Sequence, residues 1–138
     1  MTLKPTAELH HEIRQSAGPG LLTGSEFSSP DLAGHLAALL ADHGATPVEI
    51  IRALNLDRTY GYQLLNGRRQ PTRSVLLRLA LVLALSEEET QRLLKLAGRP
   101  VLDPRSRFDA AVLYGLTHRL GLEETDELLA SLGEAMLL

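Results

Sequence analysis

From residue 30 onward, apolar residues recur every three or four positions, in runs broken by short polar or glycine-bearing segments. That period belongs to helices that bury one face. The first run is Leu32, Leu36, Leu39 and Leu40, with Ser29 and Pro30 as start signals and Gly44 as the stop. The second opens on Thr46-Pro47-Val48-Glu49: a capping threonine, a first-turn proline and a glutamate three residues on from the cap. It carries Ile50, Ile51 and Leu54, and ends at Asn55, a residue type that tolerates the left-handed conformation. Asp57 starts a third helix running to about Leu65, which Asn66-Gly67 terminates. Pro71 is expected to open a fourth, with Val75, Leu76, Leu79, Ala80 and Leu83 inward. Ser86 caps a fifth, where Glu87, Glu88 and Glu89 suit the positive helix start, and Gly98 and Pro100 close it. A sixth carries Phe108, Ala111, Val112, Gly115 and Leu116, and a seventh Leu122, Leu128, Leu129, Leu132 and Met136. No segment alternates with period two, so the predicted class is all-α.

Before residue 30 the pattern is weaker. Ala7 to Gln15 reads as a short helix, and Ser16 to Pro30 as a loop broken by Gly18-Pro19-Gly20. Late in the chain there is a faint repeat. Glu88 to Leu94 reads like Glu123 to Leu129, with Gly98 matching Gly133, at an offset of 35 residues. Two readings stay open: a pair of stacked helical hairpins, or helix start and stop chemistry used twice. Two copies fall short of a solenoid.

Composition narrows the function classes. There are no cysteines, so disulfides and thiolate metal sites are out; this fits a reducing compartment, and a cytoplasmic location is expected. No run of apolar residues is long enough to span a bilayer, and no secretory signal pattern opens the chain. His10 and His11 are adjacent and share no helical face, and His35, His43 and His118 have no carboxylate at ligand spacing, so no metal or other cofactor is expected. No phosphate loop, nucleophile elbow or catalytic carboxylate pair is present, and no enzymatic activity is expected. The net charge is −3, but it is unevenly spread. Residues 46–75 hold Arg52, Arg58, Arg68, Arg69 and Arg73 against Glu49 and Asp57, a local balance of +3. The flanks are acidic. A basic centre between acidic flanks can present one positive face.

That basic centre coincides with two short helices joined by the tight turn Asn55-Leu56-Asp57, followed by Asn66-Gly67-Arg68-Arg69-Gln70-Pro71-Thr72. Such a turn sets the second helix across the first, exposed for a major groove. The stretch from Thr46 to Thr72 resembles, without a gap, the helix-turn-helix of the Cro/C1 (Xre) repressor family, and the likeness continues to about Leu96. More narrowly, Tyr60, Tyr62, Gln63, Gly67, Arg69, Pro71, Thr72 and Arg73, then Glu88 to Leu94, are similar to a bacterial subgroup of that family. Arg107-Phe108-Asp109-Ala110 resembles the Arg-x-Asp-Ala segment that follows in it. Four positions depart from the family pattern: Pro47 stands where glutamine is usual, Asn55 where glycine is usual in the turn, Leu65 where glutamate is common, and Gly61 lies inside the second helix.

The resemblance implies a five-helix Cro/C1-like core with an added C-terminal helical hairpin. It divides the chain into an N-terminal short helix and flexible loop (1–29), a helix-turn-helix domain (30–100) and the hairpin (101–138), the last a dimer or partner surface. It implies that Arg58, Thr59, Tyr62 and Gln63 face the groove and read bases. Asn66, Arg68, Arg69 and Arg73 would contact phosphates, with pairing to an acid of the fifth helix or the C-terminal segment as the alternative for Arg73. The implied function is a sequence-specific transcriptional regulator on double-stranded DNA, acting as a homodimer. The alternative is a protein–protein interaction module that keeps the helix-turn-helix shape, a reading that Pro47, Gly61 and the negative charge favour.

Overall fold

The computed structural model describes residues 30–138, so the expected helix at Ala7 to Gln15 and the cap at Ser29 lie outside the described residues. Seven helices and no strand make up the described part: α1 (Pro30–Asp42), α2 (Pro47–Ala53), α3 (Arg58–Leu65), α4 (Arg73–Leu83), α5 (Glu87–Leu96), α6 (Arg107–Thr117) and α7 (Leu122–Ser131). The class and the helix order are those the apolar period predicts. No helix among them is long and apolar enough to cross a membrane.

Most helix starts follow from local chemistry. Thr46 and Ser86 each accept the backbone N–H of the glutamate three residues on, while that glutamate accepts the cap residue's own N–H. Asp57, Thr72 and Ser106 cap α3, α4 and α6 by the same side-chain acceptance. The fourth helix therefore opens two residues later than expected, at Arg73: Thr72, in extended conformation, is its cap, and Pro71 precedes it as a buried residue. All seven helices stop alike. A residue with positive φ follows each, and the next N–H donates back to a carbonyl five residues earlier, as from Leu56 to Ile51, from Arg68 to Gln63 and from Leu85 to Ala80. Three of these left-handed positions are not glycine: Asn55, Ala84 and Arg119.

The core is one continuous cluster from Leu32 to Leu137. α4 is its centre, with Val75, Leu76, Leu77, Leu79, Ala80, Leu81 and Leu83 all buried, so it presents apolar surface on every side. Helices α2, α5, α6 and α7 pack on it. Its polar side chains are drawn into the interior: Arg78 donates to the Leu54 carbonyl at the end of α2, and Ser74 donates to the Leu137 carbonyl. The seventh helix differs from expectation at its end. It stops at Ser131, and beyond Gly133 the chain turns back, leaving Met136 53% exposed and burying Leu137 instead. The reason is Asp126, a buried carboxylate that accepts the backbone N–H groups of Leu137 and Leu138 at 2.6 and 2.9 Å.

Candidate nucleic-acid interface

The basic segment begins with α2. The Thr46 N–H and hydroxyl donate to the Glu49 carboxylate at 2.9 and 3.0 Å, and the backbone contact first, the hydroxyl second, hold that carboxyl below its ordinary 4.5. Asn55 takes the left-handed conformation (φ 57°), so the chain reverses where the sequence places the turn. Asp57 then accepts the Tyr60 N–H at 3.1 Å and starts α3. Both acids of the segment are thereby engaged in capping.

α3 crosses close over α2, and Gly61 makes this close approach possible. A Cβ at that position would lie 2.7 Å from both Cγ1 and Cγ2 of Ile51, a β-branched side chain with little freedom to move. The glycine that departs from the family pattern is thus required by packing between the two helices, at an intrinsic helix cost of about 1 kcal/mol. With Gly61 and Leu64 inward, the helical turn of about 100° per residue sets Thr59 opposite them, with Tyr62 and Gln63 to either side. Arg58 and Thr59 are exposed; Tyr62 and Gln63 are half-buried. Arg58 and Tyr62 share a groove with Val48, Ile51, Leu56 and Arg52.

Beyond α3, Gly67 turns the chain (φ 87°), and the N–H groups of Arg68 and Arg69 both donate to the Gln63 carbonyl, at 2.9 and 3.1 Å. The Asn66 side-chain oxygen accepts the Arg68 N–H at 3.1 Å, which leaves its amide NH₂ as a free donor. The Arg69 Nε donates to the Gln63 Oε1 at 3.2 Å. That contact occupies the acceptor a glutamine uses, beside its NH₂, for a two-point contact with adenine. Arg68 and Arg69 are exposed, and neither they nor Arg52 and Arg58 form an ion pair with any described residue.

Seven of the eight residues assigned from the sequence, Arg58, Thr59, Tyr62, Gln63, Asn66, Arg68 and Arg69, gather on α3 and the loop after it. Arg73 does not join them, and the alternative named for it is what the structure contains. Its guanidinium donates to both Asp109 oxygens at 3.1 and 2.9 Å, and to the carbonyls of Pro100 and Val101 at 2.9 and 3.1 Å. Only 26% of its side chain and 9% of that of Asp109 are exposed. One residue was missed. Arg52 stands on the rim of the Arg58–Tyr62 groove, and its signal was only its share in the local positive balance. On its other side Arg52 lines a second groove with Asn55, Glu123, Glu124 and Leu138, so the start of α7 forms an acidic border to the basic face.

The cavity enclosed between α1, α2, α3 and α4 is apolar and about 20 Å³, room for one water at most. Among the described residues no group of histidines and carboxylates is placed to hold a metal ion. Residues 31–93 match a family model described as a helix-turn-helix domain. No curated protein and no solved structure matches the chain.

Proposed function

We propose that the protein, whose residues 31–93 match a helix-turn-helix domain model, is a sequence-specific regulator of transcription of the Cro/C1 type, binding double-stranded DNA in the cytoplasm as a homodimer. The observation that carries this reading is the set of four arginines, Arg52, Arg58, Arg68 and Arg69, around an exposed helix start, none of them in an ion pair with a described residue. An isolated guanidinium at such a place is available to guanine edges and phosphates. In this reading Arg58, Thr59, Tyr62 and the NH₂ of Gln63 face the bases. Asn66, Arg68 and Arg69 take phosphates on one flank and Arg52 on the other, while Arg73 leaves the set.

A single recognition helix offers few base contacts, and two-fold half-sites are the usual remedy. The surface that supports pairing is the outer face of α6 and α7, where Ala110, Leu128, Tyr114 and Leu132 line an apolar groove. Tyr114 is 49% and Leu132 37% exposed. The same groove favours a second reading, in which the hairpin binds a different protein and the helix-turn-helix serves only as a scaffold.

Selection of bound fragments from a random duplex pool, followed by a salt titration on the winner, separates the two. The regulator enriches one sequence, with affinity falling steeply as salt rises. Arg58→Ala then weakens that complex by about 1–3 kcal/mol. A pool that stays unenriched removes the regulator and leaves the interaction module.

A further inference from the structure

Arg68 and Arg69 stand on a short loop between α3 and α4, and the far end of that loop is held by residues outside the helix-turn-helix. The Pro71 carbonyl accepts two hydrogen bonds from Arg99, from Nε at 3.1 Å and from the terminal nitrogen at 2.7 Å. Two residues on, Arg73 is gripped by Asp109 of α6 and by the carbonyls of Pro100 and Val101. Asp109 also accepts the Asp103 N–H at 2.9 Å. Gln91 of α5 clasps Leu102 in both directions, at 2.9 and 2.7 Å. The linker from Arg99 to Asp103 is therefore fixed to α5 and α6 on one side and to the base of the arginine loop on the other.

The near end of the loop is fixed too, by the Gln63 carbonyl and side chain. Gln70 alone separates Arg69, bonded to the near anchor, from Pro71, held by the far one. A charged pair that is mostly buried and made in two-point geometry is rigid as well as directional. We infer that Asp109 and Arg99 are positioning residues for the phosphate contacts of Arg68 and Arg69, so that the linker and α6 form part of the DNA-binding unit. The inference rests on the DNA reading above. Neither residue touches DNA in it. They act by holding the loop in its bound conformation beforehand, so that the complex does not bear the entropy of ordering it.

The test uses the full chain and a mixed-sequence duplex, because phosphate contacts operate without an operator. Asp109→Asn and Arg99→Gln are compared with the wild type at a temperature where circular dichroism shows all three folded. Arg99→Gln removes the Pro71 clamp while leaving the Arg73–Asp109 pair intact, which covers the case in which the Asp109 variant fails to fold. Each folded variant is expected to bind about tenfold more weakly, with the slope of log affinity against log salt unchanged. In Arg68→Ala, by contrast, the slope drops by about one. Amide exchange at Arg68 and Arg69 is expected to quicken in the variants while α4 and α5 stay as protected as in the wild type.

Affinity equal to the wild type overturns the inference. So does a slope reduced by one in Arg99→Gln, which would make Arg99 itself a phosphate contact. Exchange that quickens equally throughout α4 and α5 would make the clamp a general stabiliser, and also overturns it. If the wild type does not bind the duplex at any salt, the DNA reading itself fails, an outcome plain from the wild type alone.

Discussion

The α4–α5 and α6–α7 hairpins are built to one plan at their turns and to two plans at their surfaces. An offset of 35 residues maps the turn of the first onto the second. Ala84 and Arg119 both adopt φ 55°. The N–H groups of Leu85 and Leu120 donate back to Ala80 and Gly115 at 2.9 and 2.8 Å, and those of Arg99 and Glu134 to Leu94 and Leu129, both at 2.9 Å. The environments diverge. Val75, Leu76 and Leu79 of the first hairpin are enclosed against α1, α2 and α3. Their counterparts Ala110, Ala111 and Tyr114 line an open groove. Local sequence decides where a helix begins and ends; which neighbours arrive decides what it buries. Because all seven helices stop by the same device, the shared stops do not by themselves argue for a duplicated unit.

The sharpest way to break the comparison is where α6 and α7 meet at Gly115. A Cβ on Gly115 would collide with the Thr125 Oγ1, and both residues are buried. Gly115→Ala should therefore destabilise the fold by about 1–3 kcal/mol in chemical denaturation, from overpacking. Adding Thr125→Ala should recover part of the loss, whereas independent, additive effects would show that the contact is not the cause.

The matched threonines come next. The Thr90 hydroxyl donates to the Ser86 carbonyl at 2.8 Å, but the Thr125 hydroxyl is buried without a partner. Thr90→Val is expected to lose about 1 kcal/mol and Thr125→Val to gain a similar amount. The same sign at both sites would erase the distinction between the hairpins. At the turns themselves the hairpins should respond alike: Ala84→Gly and Arg119→Gly each relieve a left-handed L-residue and should gain up to about 1 kcal/mol.

The smallest effect is acid sensitivity. The Ser86 N–H, and less strongly His43 at 3.3 Å, hold the Glu89 carboxyl below 4.5. A carboxyl whose value is lowered by folding stabilises fully above its unfolded value and loses that contribution as pH falls through the folded one. Tm should thus decline below about pH 4.5, and Glu89→Gln should flatten part of that decline.

What the sequence revealed tracks the range of the interaction responsible. Caps three residues apart were legible, as at Thr46 and Glu49 or Asp57 and Tyr60, because both partners lie in one short window. Gly61 looked like a weak point in α3, since its reason is Ile51, ten residues away on another helix. Arg73 matched a phosphate-contact position, and its acid partner lies 36 residues on. Met136 kept the helical period, but the tertiary contact of Asp126 with the chain end overrode it. The gathering of Arg58 and Thr59 with the arginines after Gly67 was readable, because helix phase and one turn suffice to place them.

The three polar side chains of α4 reach in three directions. Arg73 ties down the linker and α6, Ser74 the chain end, and Arg78 the end of α2. A helix that is both the apolar centre and the hub of these ties leaves no seam along which the molecule could come apart in stages. Heating should melt residues 30–138 in one cooperative transition. A fragment trimmed to α2 and α3 alone would keep the motif but lose its spine.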